Sequence, residues 1–116
     1  MKALVLICAL LILTGCGAIE LTTGGKLVKI TSTEPGNDCE YLGVVTGSQG
    51  DAITGAYTSN SDLETGALND LRNKAAELGG NVIFILTQRS GQTTDEGGSG
   101  RQTSVTMSAN VYRCPK

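Results

Sequence analysis

Few side chains in this sequence have the types and spacing to do chemistry. The 116 residues include four cysteines, eleven acids and no histidine. Without histidine there is no Ser-His or Cys-His nucleophile pair and no imidazole ligand for zinc. Asp95 and Glu96 stand side by side, without the spaced oxygen ligands of a calcium loop, and spacing singles out no acid pair of the glycosidase type. Gly97-Gly98-Ser99-Gly100 is glycine-rich but precedes a strand pattern. A phosphate loop aims its amides from a helix start and adds a lysine, so this stretch reads as a hairpin tip. Asn69, Arg72 and Asn73 crowd one turn of a helical stretch and are the candidates for a partner-binding edge. The competing reading is a solvated flank in which Asp70 pairs with Lys74 at i,i+4. The residues therefore predict no enzyme, no metal site and no cofactor. A net charge of −2 gives no electrostatic footprint for nucleic acid.

The thiols carry the remaining chemistry, and the start of the chain decides their fates. Lys2 is followed by an uncharged apolar run from Ala3 to Leu13, too short for a bilayer span of roughly 20 residues. A basic start and a run of this length read as a secretory signal. Leu13-Thr14-Gly15-Cys16 resembles a bacterial lipobox. That resemblance implies cleavage after residue 15, a diacylglyceryl group on the Cys16 thiol and an acyl chain on its amine. Two or more chains anchor a protein stably where one does not. Gly17 rather than Asp follows the cysteine, which by the same analogy implies the outer membrane, with the membrane as partner through the lipid anchor; the periplasmic side is expected in preference to the cell surface. Cys8 then leaves with the signal, and Cys39 and Cys114 remain in a compartment that permits disulfides. They lack Cys-x-x-Cys spacing and a histidine, which argues against a redox or metal pair. Bridging them closes a loop of about 75 residues, worth roughly 4 kcal/mol in the chain-entropy model.

The elements that must position these groups follow from periodicity. Residues 1–15 are the signal, 16–25 the lipidated cysteine and a tether, and 26–116 a single domain. Extended, residues 17–25 would reach about 30 Å and let the domain swivel. Leu27-Val28-Lys29-Ile30 forms a first strand, and Glu34-Pro35-Gly36-Asn37-Asp38 a turn. A second strand over 39–46 places Leu42 and Val44 on one face and Cys39, Tyr41 and Val45 on the other. A polar loop, 47–61, leads to a helix over 62–78 with Leu68, Leu71, Ala75 and Leu78 as its stripe. Ser61 or Asp62 caps its start, and Gly79-Gly80 ends it. A third strand covers 81–87. A polar loop, 88–101, precedes a fourth strand that alternates through Val105, Met107, Ala109 and Val111.

The expected fold is α+β, in the order β-β-α-β-β, with one helix on one face of a four-stranded mixed sheet. A right-handed crossover makes strands two and three parallel. Placing strand four antiparallel between them brings Cys39 and Cys114 to one end, where one disulfide closes the fold. Strand three then lies at an edge although it is apolar on both faces, so a second copy is expected to pair with strand 81–87. Both polar loops lie at the end opposite the bridge, where binding or plain solvated connections are expected.

Glu34-Pro35-Gly36, Cys39, Leu42-Gly43, Thr46-Gly47, Asn69-Asp70-Leu71-Arg72-Asn73, Ala75-Ala76, Gly79-Gly80-Asn81-Val82-Ile83 and Val111-Tyr112-Arg113-Cys114-Pro115 together resemble a family of small proteobacterial lipoproteins of unknown function (DUF4156-like). The resemblance covers about 34–116 and implies an envelope lipoprotein, without supplying an activity. A second resemblance is to the outer-membrane sensor lipoproteins of the Rcs pathway, in the lipobox, the second strand and the helix leading into an Asn-Val-Ile strand. Those sensors use two disulfides, one of them from a cysteine just after the second strand, where this chain has Ser48 and Gln49. The expected role is a non-enzymatic binding or structural module anchored at the outer membrane, with an envelope protein or glycan as partner. The alternatives are an envelope-stress sensor and an inhibitor of a lysozyme-type hydrolase.

Overall fold

The fold is organised by its last strand, where polar and apolar residues alternate from Gln102 to Val111. Thr103, Val105, Met107, Ala109 and Val111 are buried, while Gln102, Ser104, Thr106, Ser108 and Asn110 between them are only partly so. One face of this strand therefore meets the core and the other does not. The computed structural model describes residues 17–50, 58–94 and 100–115. Among these, the strands β1 (Lys29–Thr31), β2 (Glu40–Gln49), β3 (Val82–Thr94) and β4 (Gly100–Arg113) form one sheet in the order β1-β3-β4-β2. β4 lies between β2 and β3 and is antiparallel to both. The helix α1 (Asn60–Glu77) crosses over the sheet between β2 and β3. The β-β-α-β-β order, the mixed sheet and the bridge between Cys39 and Cys114 at one end of it agree with expectation.

The helix begins on Ser59, whose hydroxyl accepts from the Asp62 amide at 3.2 Å. The cap is thus two or three residues earlier than the expected Ser61 or Asp62. Its end is held by paired bonds from Gly80 N to Ala75 O and from Gly79 N to Ala76 O, both 2.9 Å. Gly79 has φ +84°, the left-handed residue that closes this type of helix stop. The buried stripe is Leu63, Ala67, Leu71 and Ala75, with Leu68 partly buried against it. Leu78, expected in the stripe, is 45% exposed beyond the last turn. Small residues on both sides let the helix lie close: a Cβ on Gly47 of β2 would stand 2.5 Å from Ala67 O and Leu71 N.

Three expectations change. The outer edge of β3 is paired with β1 in parallel, Lys29 with Val82 and Thr31 with Phe84. The chain's own first strand therefore covers residues 82–84 of the stretch 81–87 for which a second copy was expected. In β2 the pairing shifts between Tyr41 and Gly43, a bulge at which one extra residue inverts the side-chain parity. Beyond it Val45 packs on the core while Val44 is 55% exposed, the reverse of the regular alternation. Tyr41 precedes the bulge and stays on the outer face, its ring 5.6 Å edge-on from Tyr112. Finally, residues 88–94 and 100–101 are strand, not loop: β3 and β4 run on as a long polar ribbon, paired as far as Thr94 with Gly100. Its β3 strand is polar from Thr87 to Gln92, while Val105 and Met107 of β4, paired with Ser90 and Gln88, stay buried in the core. Of loop 47–61, Gly47–Gln49 belongs to β2 and 60–61 to α1. The hairpin tip at 97–99, Asp95-Glu96, Cys16 and the signal lie outside the described residues.

Candidate functional site: an amide clamp over the helix

The outer face of α1, away from the sheet, carries Asn69 and Asn73. Helical geometry sets both nearly opposite Leu71. In the structure they do not face an external partner. They hold the chain's own N-terminal segment, a strap formed by residues 17–28. The Asn69 Nδ2 donates to Ile19 O at 2.7 Å. The Asn73 Nδ2 donates to Glu20 O at 2.9 Å, and its Oδ1 accepts from Thr22 N at 2.8 Å. Arg72 completes the series, its Nε donating to Val28 O at 3.1 Å and its Nη2 to Lys26 O at 3.3 Å. The three residues singled out in sequence thus act on one segment of backbone, Asn69 and Asn73 on residues expected to be a free tether and Arg72 on Lys26 and Val28 at the expected start of the domain.

A fourth member comes from β2. Gln49 reaches across the helix at Gly66; its Oε1 accepts from Ile19 N at 2.6 Å and its Nε2 donates to Gly17 O at 3.0 Å. A Cβ on Gly66 would overlap the Gln49 side-chain amide, so this glycine provides the crossing. Neither residue was found from sequence as part of the site. The available signal was Gly66 itself, because a glycine inside a helix costs about 1 kcal/mol relative to alanine and calls for a packing reason. Near its far end the strap turns through a short 3-10 segment, Gly25–Leu27, and enters β1. It therefore laces over the helix from the β2 edge of the sheet to the β1 edge.

Asp70 and Lys74 face the β2 side instead. They pair at 3.1 Å, and each also holds backbone of β2: Asp70 Oδ2 accepts from Ser48 N at 2.9 Å, and Lys74 Nζ donates to Thr46 O at 2.8 Å. The expected i,i+4 pair is present, as part of the helix-to-strand packing rather than as a solvated flank.

The C-terminus is clamped by the same chemistry. The Asn81 side chain forms a two-bond pair with Cys114, Nδ2 to Cys114 O at 2.8 Å and Oδ1 from Cys114 N at 2.7 Å. Cys114 is bonded to Cys39, with Cα atoms 4.2 Å apart. Beside this end a groove of about 780 Å³ opens, lined among others by Leu27, Lys29, Val82, Arg113 and Pro115. Leu27 is 73% exposed at its rim. Among the described residues, no three Cys, Asp or Glu side chains converge as a metal-binding set.

Comparison with known proteins places this geometry. The model of a domain of unknown function, DUF4156, matches residues 19–114. The chain belongs to that family. It is 35% identical over 108 residues to the uncharacterized protein YjeI of Escherichia coli K12, covering 92% of this chain and 90% of that one. YjeI of Shigella flexneri gives the same figures. No solved structure matches. The family match begins inside the strap at Ile19 and ends on Cys114, so the unit the family shares includes both clamped ends. No helix among the described residues is long and apolar enough to cross a membrane.

Proposed function

We propose that the protein is a lipid-anchored, non-enzymatic binding or structural module of the bacterial envelope, held at the outer membrane through Cys16. The observation that carries this reading is the Cys39–Cys114 bridge, because a disulfide persists in an oxidising compartment and not in the cytosol. The basic, apolar start and Leu13-Thr14-Gly15-Cys16 supply the route to that compartment and the anchor. The clamp residues are satisfied by the chain's own backbone, so they are scaffold rather than recognition surface. An envelope protein or glycan would meet the molecule elsewhere, at the groove beside Leu27 or along the polar β3–β4 ribbon. Blocking the lipoprotein signal peptidase with globomycin should accumulate a heavier precursor, and Cys16→Ser should no longer incorporate palmitate. Photocrosslinkers at Leu27 and Gln88 should recover envelope protein or glycan from intact cells. An unchanged mass under globomycin would refute the anchor, and crosslinks only to cytosolic proteins would refute the compartment.

A further inference from the structure

The strap changes what an anchor at Cys16 would do. A free segment of nine residues would leave the domain a reach of about 30 Å. Here Gly17, the residue next to Cys16 in the chain, already has its carbonyl held by Gln49. Ile19 is held at both ends of its backbone, its N–H by Gln49 and its carbonyl by Asn69. Letting the chain out as far as Ile19 breaks all three bonds. Without that, the slack between the lipid-bearing residue and the folded domain is about one peptide unit. A domain so held has to lie against the lipid with the side from which Gly17 emerges.

We propose that the clamp seats the domain directly on the lipid headgroups in one orientation, with the C-terminal end of β2 and the first half of α1 against the bilayer. This rests on the lipid-anchored reading above and adds an orientation to it. Gln49 is at one end of β2 and the Cys39–Cys114 bridge is at the other. Ten residues of strand separate these ends, about 33 Å at the usual rise. The bridge and the groove beside Leu27 then point away from the lipid, toward the space where a partner approaches. The exposed polar residues in the first half of α1 become part of the membrane-facing layer, and the strap works as a splint instead of a leash.

The test uses the full lipidated protein in vesicles of phosphatidylethanolamine and phosphatidylglycerol that carry nitroxide on a fraction of the headgroups. A fluorophore is placed at Thr65→Cys, on the exposed surface one turn before Asn69, or at Asn37→Cys, exposed at the bridge end. Labelling proceeds without reductant, so the bridge stays intact. Headgroup quenching should be several-fold stronger at position 65 than at position 37. Inserting ten Gly and Ser residues between Cys16 and Gly17 leaves the clamp untouched and adds roughly 15–20 Å of flexible reach; it should bring the two positions toward equal quenching. Equal quenching in the natural-length chain, or stronger quenching at 37, overturns the seating while leaving the anchor in place. An intact mass without acyl chains overturns the anchored reading and the seating with it.

Discussion

Both ends of the domain are tied down by an asparagine reading backbone, yet the two ties differ in strength. Asn81 bonds the amide and carbonyl of Cys114 in a partly buried setting, with a covalent bridge on the same residue. Asn73 bonds the carbonyl of Glu20 and the amide of Thr22 at similar distances, but on the exposed back of the helix and with no covalent support. A hydrogen bond contributes only about 0.5–1.5 kcal/mol net, and more is lost when its removal strands a buried partner. The same two-bond geometry therefore makes the C-terminal tie part of global stability and the N-terminal tie a local one. Regions of the second kind open without unfolding the rest.

Removing the covalent part of the stronger tie should have the largest effect. Cys39→Ser with Cys114→Ser should lower unfolding free energy by roughly 4 kcal/mol, read as a fall in the urea midpoint. Asn81→Ala comes next, at about 1–3 kcal/mol, because it leaves both backbone groups of Cys114 without their partner; the midpoint should again move, with the bridge intact. Asn73→Ala should cost less, about 1 kcal/mol or under, and mainly in one place: hydrogen exchange at the Thr22 amide accelerates while the amides of β4 keep their protection. Gly66→Ala sharpens the contrast most. Alanine gains up to about 1 kcal/mol of helix propensity, yet its Cβ displaces Gln49. Global stability should hardly change while exchange at Ile19 rises. A fall in the urea midpoint for Gly66→Ala equal to that for Asn81→Ala would show that the strap belongs to the cooperative unit after all, and the two ties would be one.

How much was legible follows from which interactions have a period. The alternation from Val105 to Val111, the helical spacing of Leu71 and Ala75, and the Gly79-Gly80 stop each report a local backbone pattern, and each matched the structure. The bridge was legible because the lipobox resemblance left Cys39 and Cys114 as the expected pair, and a central fourth strand brings them to one end of the sheet. The site was only half legible. Asn69, Arg72 and Asn73 were visible as a cluster because three polar side chains shared a turn, but nothing in that turn says what they bind. Their partner lies about 50 residues away along the chain, in the stretch 17–28, whose mixed residues have no pattern of their own.

The sequence by itself determined the element order, the helix and its end, the crossover and the pairing of Cys39 with Cys114. The elements depend on near-neighbour repeats, the crossover on the handedness of a strand-helix-strand connection, and the thiol pairing follows from the strand arrangement these imply. Tertiary structure alone decided that β1 takes the open edge of β3, that the bulge after Tyr41 turns Val45 inward, and that residues 17–28 lie across the helix. Those outcomes depend on backbone amides and carbonyls, which every residue carries alike, so no choice of side chain in the strap announces them. Only once the helix lies on the sheet do Gln49, Asn69 and Asn73 stand in a row with their amides aimed at one passing segment.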